Sequence, residues 1–187
     1  LIDYVNWFKT LPIYFENENF RVVHAQWKPD HIEYLKQNRI NDFSKPGFLF
    51  DSSQKDRKEF QIVECLLKGE EVDIPGVSFH DKDGNERCSY RVKWWWSGEN
   101  LSCEDSLFEF KGGGGKLPIS LDGYNEYNSP VFFGHYWLKN PQPILQQSNV
   151  CCLDFSVAKQ GVLAAYQWNG EVQLNADNFC HVGSVLT

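Results

Sequence analysis

At 187 residues the chain has the length of one domain, which buries about 70% of the surface its unfolded form exposes, and an aromatic content of 16% with seven Trp supplies a real core. Charged residues at 23% set it apart from disordered chains, and a net charge of −7 disfavours a nucleic-acid surface, which needs a basic stripe, while leaving room for a small phosphorylated substrate met by a local cation. No apolar stretch reaches the roughly 18 residues of a membrane span and no basic-then-apolar leader is visible, so no membrane association and a cytoplasmic location are expected.

In chain order, the first expected element is a short amphipathic helix over 1–9, stopped by Thr10-Leu-Pro12. Residues 13–16 and 20–24 read as two strands around the polar turn Asn17-Glu-Asn19. Residues 30–38 read as a helix entered through Pro29, and 41–51 as irregular. Residues 53–68 carry the strongest helix pattern, with Ser53 as cap, Phe60, Val63 and Leu67 at helical spacing, and Gly69 as stop. Residues 77–79 and 87–94 read as a hairpin around Asp83-Gly84. The polar, Gly-rich stretch 98–128 reads as a mobile loop or partly disordered insertion. Strand character returns at Val131, followed by strands over 151–156, 162–168 and 171–174, the last two joined by the turn pair Asn169-Gly170. The chain begins at Leu1 and contains no Met, so it is expected to be a piece of a longer gene product. The expected class is α+β, largely β in its last third, as a single domain over 1–187 with an insertion at about 40–128.

Three motif-like segments fail on inspection. Gly112-Gly-Gly-Gly-Lys116 lacks the P-loop spacing, having Phe110 where the first Gly belongs and Leu117 where Ser or Thr belongs. Asp81-Lys-Asp83-Gly84-Asn85 places its Gly two positions early for a calcium loop and has no closing Glu. Asn100-Leu-Ser102 is a glycosylation sequon without a secretory context. The six cysteines form no C-x-x-C pair and no zinc spacing, so reduced core thiols are expected. The Trp94-Trp-Trp96 run offers stacking faces for a base or sugar, or rings for the core.

Two apolar runs each deliver a histidine: Phe20-Arg-Val-Val-His24-Ala-Gln-Trp27 and Pro130-Val-Phe-Phe-Gly134-His135-Tyr-Trp-Leu138. In α/β folds, catalytic and metal groups sit where buried strands hand the chain to loops. A histidine there carries a lone pair suited to a metal ion, and Gly134 removes a Cβ where backbone or ligand comes close. The order Val-His24-Ala, long insertion, Phe-Gly134-His135-Tyr-Trp, then Cys152-Leu-Asp-Phe-Ser-Val-Ala-Lys159-x-Gly161-x-Leu-x-Ala-Tyr166 and Gly170-Glu171 resembles the calcineurin-like metallophosphoesterases. Within them it is most similar to bacterial serine/threonine-phosphatase-like or diadenosine-tetraphosphatase-like proteins. That family has five metal-binding blocks, and only the last two, the strand-end His and the final G-H, have counterparts here. The blocks D-x-H, G-D-x-x-D-R and G-N-H followed by Asp or Glu do not, so the resemblance implies the C-terminal part of a metallophosphoesterase-type α/β-sandwich with mixed sheets.

The resemblance implies that His24 and His135 are imidazole ligands of one metal in a dinuclear site. Trp137 stands where many relatives carry a second His, which implies the single-histidine arrangement of the protein-phosphatase and dinucleotide-phosphatase branch. Two divalent ions about 3.5–4 Å apart would bind the attacking and leaving oxygens of a phosphate ester and lower the pKa of a bridging water; Mn, Fe or Zn suits the mixed His and carboxylate ligands. Arg91, in the insertion, is the candidate phosphate clamp, because relatives place a phosphate-binding Arg there and a guanidinium grips phosphate bidentately. The expected function is metal-dependent hydrolysis of phosphoprotein or nucleotide esters by the intact protein. The alternative is a metal-free interaction or regulatory module retaining the fold, with the Trp-rich insertion as its docking surface. A structural zinc site built from cysteines is a third reading that the spacing does not favour.

Overall fold

A computed structural model describes residues 1–80 and 84–183, which form a mixed α and β fold with several small sheets. The chain separates into two compact units: Leu1–Lys68 with Tyr127–Thr187, and Gly69–Glu126. The second lies wholly within the expected insertion, whereas residues 40–68 belong to the first.

The first unit opens with α1 (Ile2–Lys9), β1 (Tyr14–Glu16), β2 (Arg21–Val23), α2 (Pro29–Gln37), α3 (Phe48–Asp51) and α4 (Lys58–Lys68). The second holds β3 (Glu71–Asp73), β4 (Phe79–His80), β5 (Glu86–Arg87), β6 (Ser89–Arg91), β7 (Ser97–Gly98), α5 (Cys103–Ser106) and β8 (Leu121–Asp122). The chain then returns to the first unit as β9 (Val131–Phe133), β10 (Val150–Cys152), β11 (Asp154–Phe155), β12 (Val162–Tyr166) and β13 (Phe179–Gly183).

The central sheet of the first unit runs β1-β2-β9-β10. β1 is antiparallel to β2, while β2 pairs parallel with β9 and β9 parallel with β10. Every residue of β9 and β10 is buried, as the uninterrupted apolar runs Val-Phe-Phe and Val-Cys-Cys require of parallel strands covered on both faces. Helix α2 starts at Pro29, whose ring presets φ for a first helical turn, and buries Ile32 and Leu35. Helix α4 buries Ile62, Val63, Cys65 and Leu66. The Leu66 carbonyl accepts the Ala25 N–H at 2.9 Å, so this helix end holds the chain one residue beyond His24.

Several expectations need correction. Residues 48–51, expected to be irregular, form the helical turn α3. Ser53 does not cap the next helix, because its hydroxyl donates to the Phe50 carbonyl at 2.7 Å, and α4 begins at Lys58. The expected 77–94 hairpin divides: β4 pairs with β5, and β6 pairs instead with the unforeseen β3 in the register Glu71↔Arg91. Asp83 of its turn lies outside the described residues, as do Asp81 and Lys82 of the calcium-like segment.

Of residues 98–128, expected to be a mobile loop or partly disordered insertion, 98–126 are built into the second unit and 127–128 belong to the first. Ser102 caps α5 by accepting the Asp105 N–H at 3.2 Å, and the Lys93 ammonium donates to the Asp105 carbonyl at 2.8 Å near the C-terminal end of the same helix. β8 pairs with β7. Trp94 and Trp95 are buried, with Trp94 edge-on to Tyr124 at 5.9 Å, and Trp96 is exposed.

The last expected hairpin also changes. β12 pairs with β11 and β13, not with 171–174. The carboxylate of Glu171 explains the difference, since it gathers the Tyr166 hydroxyl at 2.6 Å, the Asn169 N–H at 2.7 Å and the Asn178 amide at 2.8 Å. The Trp168 indole N–H donates to the Glu171 carbonyl at 2.9 Å, so 167–175 becomes a side-chain-tied loop, Ala176–Asn178 a single 3-10 turn, and the next strand starts at Phe179.

Burial by itself would raise the Glu171 pKa, but these hydrogen bonds outweigh it and hold the carboxyl at about 2, against an ordinary 4.5. A depressed carboxylate pKa stabilises the fold fully above 4.5, and the gain fades as pH falls from there toward 2. Glu171→Gln is expected to lose about 1 kcal/mol at pH 7, discounted for solvent screening, or about 3 °C in Tm. Thermal melts across pH should show that gap closing toward pH 2.

Candidate functional site

The parallel pairing of β2 and β9 carries both histidines to the same end of the sheet. The ladder runs Arg21↔Val131 and Val22↔Phe132 and continues past both strands, where the Gly134 N–H donates to the His24 carbonyl at 2.9 Å. The imidazole rings of His24 and His135 lie 5.1 Å apart, centroid to centroid, tilted by 50°. His24 is exposed and His135 half-buried.

His135 sits at the centre of a three-residue γ-turn, closed by the Tyr136 N–H donating to the Gly134 carbonyl at 2.9 Å. Its φ of +69° is one that a side chain with a Cβ adopts only under constraint. The constraint on one side is Tyr136, fully buried with its ring edge-on to Phe133 at 5.5 Å. Trp137 and Ser156 also have positive φ, +48° and +59°. Such strain concentrates where a site over-determines its backbone.

Asp154 stands beside this turn. It follows β10, the third parallel strand, so a third strand end reaches the same edge. Its carboxylate accepts the Trp137 N–H at 3.3 Å and the Ser156 N–H at 3.1 Å. Asp154 is not among the site residues that the sequence points to, although Val150-Cys-Cys-Leu-Asp154 repeats the signal of the two histidines, an apolar run delivering a chemistry-bearing residue. His24, Gly134 and Asp154 also line a cavity of about 600 Å³ whose remaining walls include Phe8, Phe15, Phe43 and Phe132.

Gly134 has more room than its place before His135 implies. A Cβ there would meet the Asp154 Cβ at 3.6 Å and the His24 carbonyl at 3.7 Å, ordinary van der Waals contacts. Gly161 is the opposite case, its Cβ position lying 1.9 Å from the Phe155 carbonyl.

The structure thus brings His24 and His135 together. Arg91 belongs to the second unit, on β6, where its guanidinium faces the Glu71 carboxylate at 3.7 Å. Two imidazoles with rings this close suit a borderline transition metal as a pair of donors. Among the described residues no group of three or more His, Cys, Asp or Glu is placed to hold a metal ion, so the pair fits part of a coordination shell. All six cysteines are unbridged. Cys65, Cys103, Cys151 and Cys152 are buried, whereas Cys88 and Cys180 are exposed, against the expectation of core thiols throughout. Burial pushes the Cys152 thiol up to about 12 and raises that of Cys151 as well, which keeps both protonated at neutral pH. Among the described residues no helix is long and apolar enough to cross a membrane.

No family model, curated protein or solved structure matches the chain.

Gly134→Ala is expected to fold with a loss below about 0.5 kcal/mol, whereas Gly161→Ala should lose about 2–3 kcal/mol because backbone must move. Urea unfolding of both variants checks the contrast.

Proposed function

We propose that this chain supplies the two-histidine part of a metal-dependent phosphoesterase centre, and that the intact protein hydrolyses phosphoprotein or nucleotide esters. One observation carries the reading: His24 and His135, far apart in sequence, meet with rings 5.1 Å apart at the ends of neighbouring parallel strands. The motif resemblance around both histidines supports it independently. His24 and His135 would hold one ion of Mn, Fe or Zn, and the remaining donors would come from outside the described residues. Such an ion, when bound, supplies charge to the phosphate oxygens and acidifies a bound water.

The chain's own contributions are separable from that. The pair fixes two nitrogen donors in one place, the strained turn keeps His135 there, and the cavity beside His24 offers apolar walls to part of a substrate. Arg91 is the proposed phosphate clamp, and its ion pair with Glu71 would have to yield to the phosphate. The second reading, a metal-free interaction module, has the exposed Trp96 indole of the insertion on its side, at 45% exposure.

Metal analysis and a phosphate-release panel on the intact gene product separate the two readings. His24→Ala and His135→Ala are each expected to lower metal content and to cut kcat at least about 100-fold. Unchanged turnover in His135→Ala would remove that residue from the site. The isolated 187-residue chain is expected to turn over p-nitrophenyl phosphate no faster than the same metal without protein; Mn-dependent turnover by it would show that a complete centre lies within the chain.

A further inference from the structure

The geometry points to Asp154 as the positioning residue for His135, acting through the backbone of the loop that carries it. His135 occupies a positive-φ γ-turn, and Trp137, two residues on, is also at positive φ. A turn of this kind relaxes unless both of its flanks are held. Before His135, Gly134 is held by its hydrogen bond to the His24 carbonyl. After it, Asp154 makes two contacts: its carboxylate accepts the Trp137 N–H at 3.3 Å, and its own carbonyl accepts the Leu138 N–H at 2.9 Å.

The same carboxylate reaches the other way, accepting the Ser156 N–H at 3.1 Å. Asp154, the first residue of β11, therefore ties the loop after β9 to the turn that follows β11. The Lys159 ammonium closes the tie from outside, 3.8 Å from the centre of the Trp137 ring. The two carboxylate oxygens divide the work, Oδ2 accepting from Trp137 and Oδ1 from Ser156, so removing the side chain leaves both N–H groups without this acceptor. The His24–His135 spacing thus depends on a residue that the described geometry does not group with them as a donor.

The inference concerns the pairing of the two imidazoles and is tested without turnover, so it stands or falls apart from the phosphoesterase reading. The probe is Cu²⁺ presented as its nitrilotriacetate chelate, which leaves coordination positions for imidazole nitrogen. Binding is followed by calorimetry on the purified chain, well below each variant's Tm. The wild type is expected to bind one chelate, and His24→Ala or His135→Ala to lose that binding. Asp154→Ala should weaken it about tenfold with far-UV CD retained, as loss of an orienting partner does at metal sites. Asp154→Asn, which keeps an accepting oxygen for one N–H, should fall between and serves as the deciding variant if Asp154→Ala does not fold. Glu171→Gln, destabilised elsewhere, should bind like the wild type. Wild-type affinity in Asp154→Asn together with any folded Asp154→Ala would overturn the inference, as would a wild type that does not bind the chelate.

Discussion

The parallel pairing of β2 with β9 is the constraint on which the rest of the first unit depends. Parallel strands begin at one edge and end at the other, so two neighbours in register must release their chains side by side. The hydrogen bond from Gly134 to the His24 carbonyl extends that register one step beyond the strands. It places His24 opposite Gly134 and leaves His135 to turn back toward it. A slip of one residue would send alternate side chains to the other face, and the buried Phe132 and Phe133 would resist it.

Burial in β9 and β10 is what permits strain at their ends. A non-glycine residue at positive φ costs on the order of 1–3 kcal/mol, and His135, Trp137 and Ser156 are three of them at one sheet edge. Each fully buried large apolar side chain contributes about 1.5–3 kcal/mol relative to exposure, and Phe133, Tyr136 and Phe155 are all buried at this edge. The core therefore lies directly beneath the strained turns and offsets them. Asp154 adds direction to that support, since a carboxylate accepting N–H groups from two loops specifies their relative placement.

The second unit illustrates how a polar composition is no guide to disorder when a few rings are available to bury. Gly112–Gly115 and the charged residues around them dominate the local composition, yet Trp94, Trp95, Leu107, Leu117 and Tyr124 are all buried. Its strands run only two or three residues, and side chains add to their short ladders: Tyr90 of β6 is buried, and Lys93 just beyond it donates its ammonium to the Asp105 carbonyl of α5.

Local pattern was enough for α1, α2, β2 and β9, where a Pro at a helix start, helical spacing, or an unbroken apolar run each encodes one outcome. It was enough too for the pairing of His24 with His135 as candidates, because both close such runs. It failed where side-chain hydrogen bonds or distant strand partners, neither of which apolar periodicity encodes, decided the backbone. Glu171 captured its own turn and displaced a hairpin that Asn169-Gly170 would otherwise favour, Ser53 closed one helical turn instead of opening the next, and β6 chose β3 over the nearer strand. Asp154 escaped notice for the same reason: its role exists only once β10 lies beside β9. Which residues are apolar, and with what period, is written in the chain itself. Which strand ends become neighbours is settled by long-range pairing, whose energy depends on partners that no local window contains.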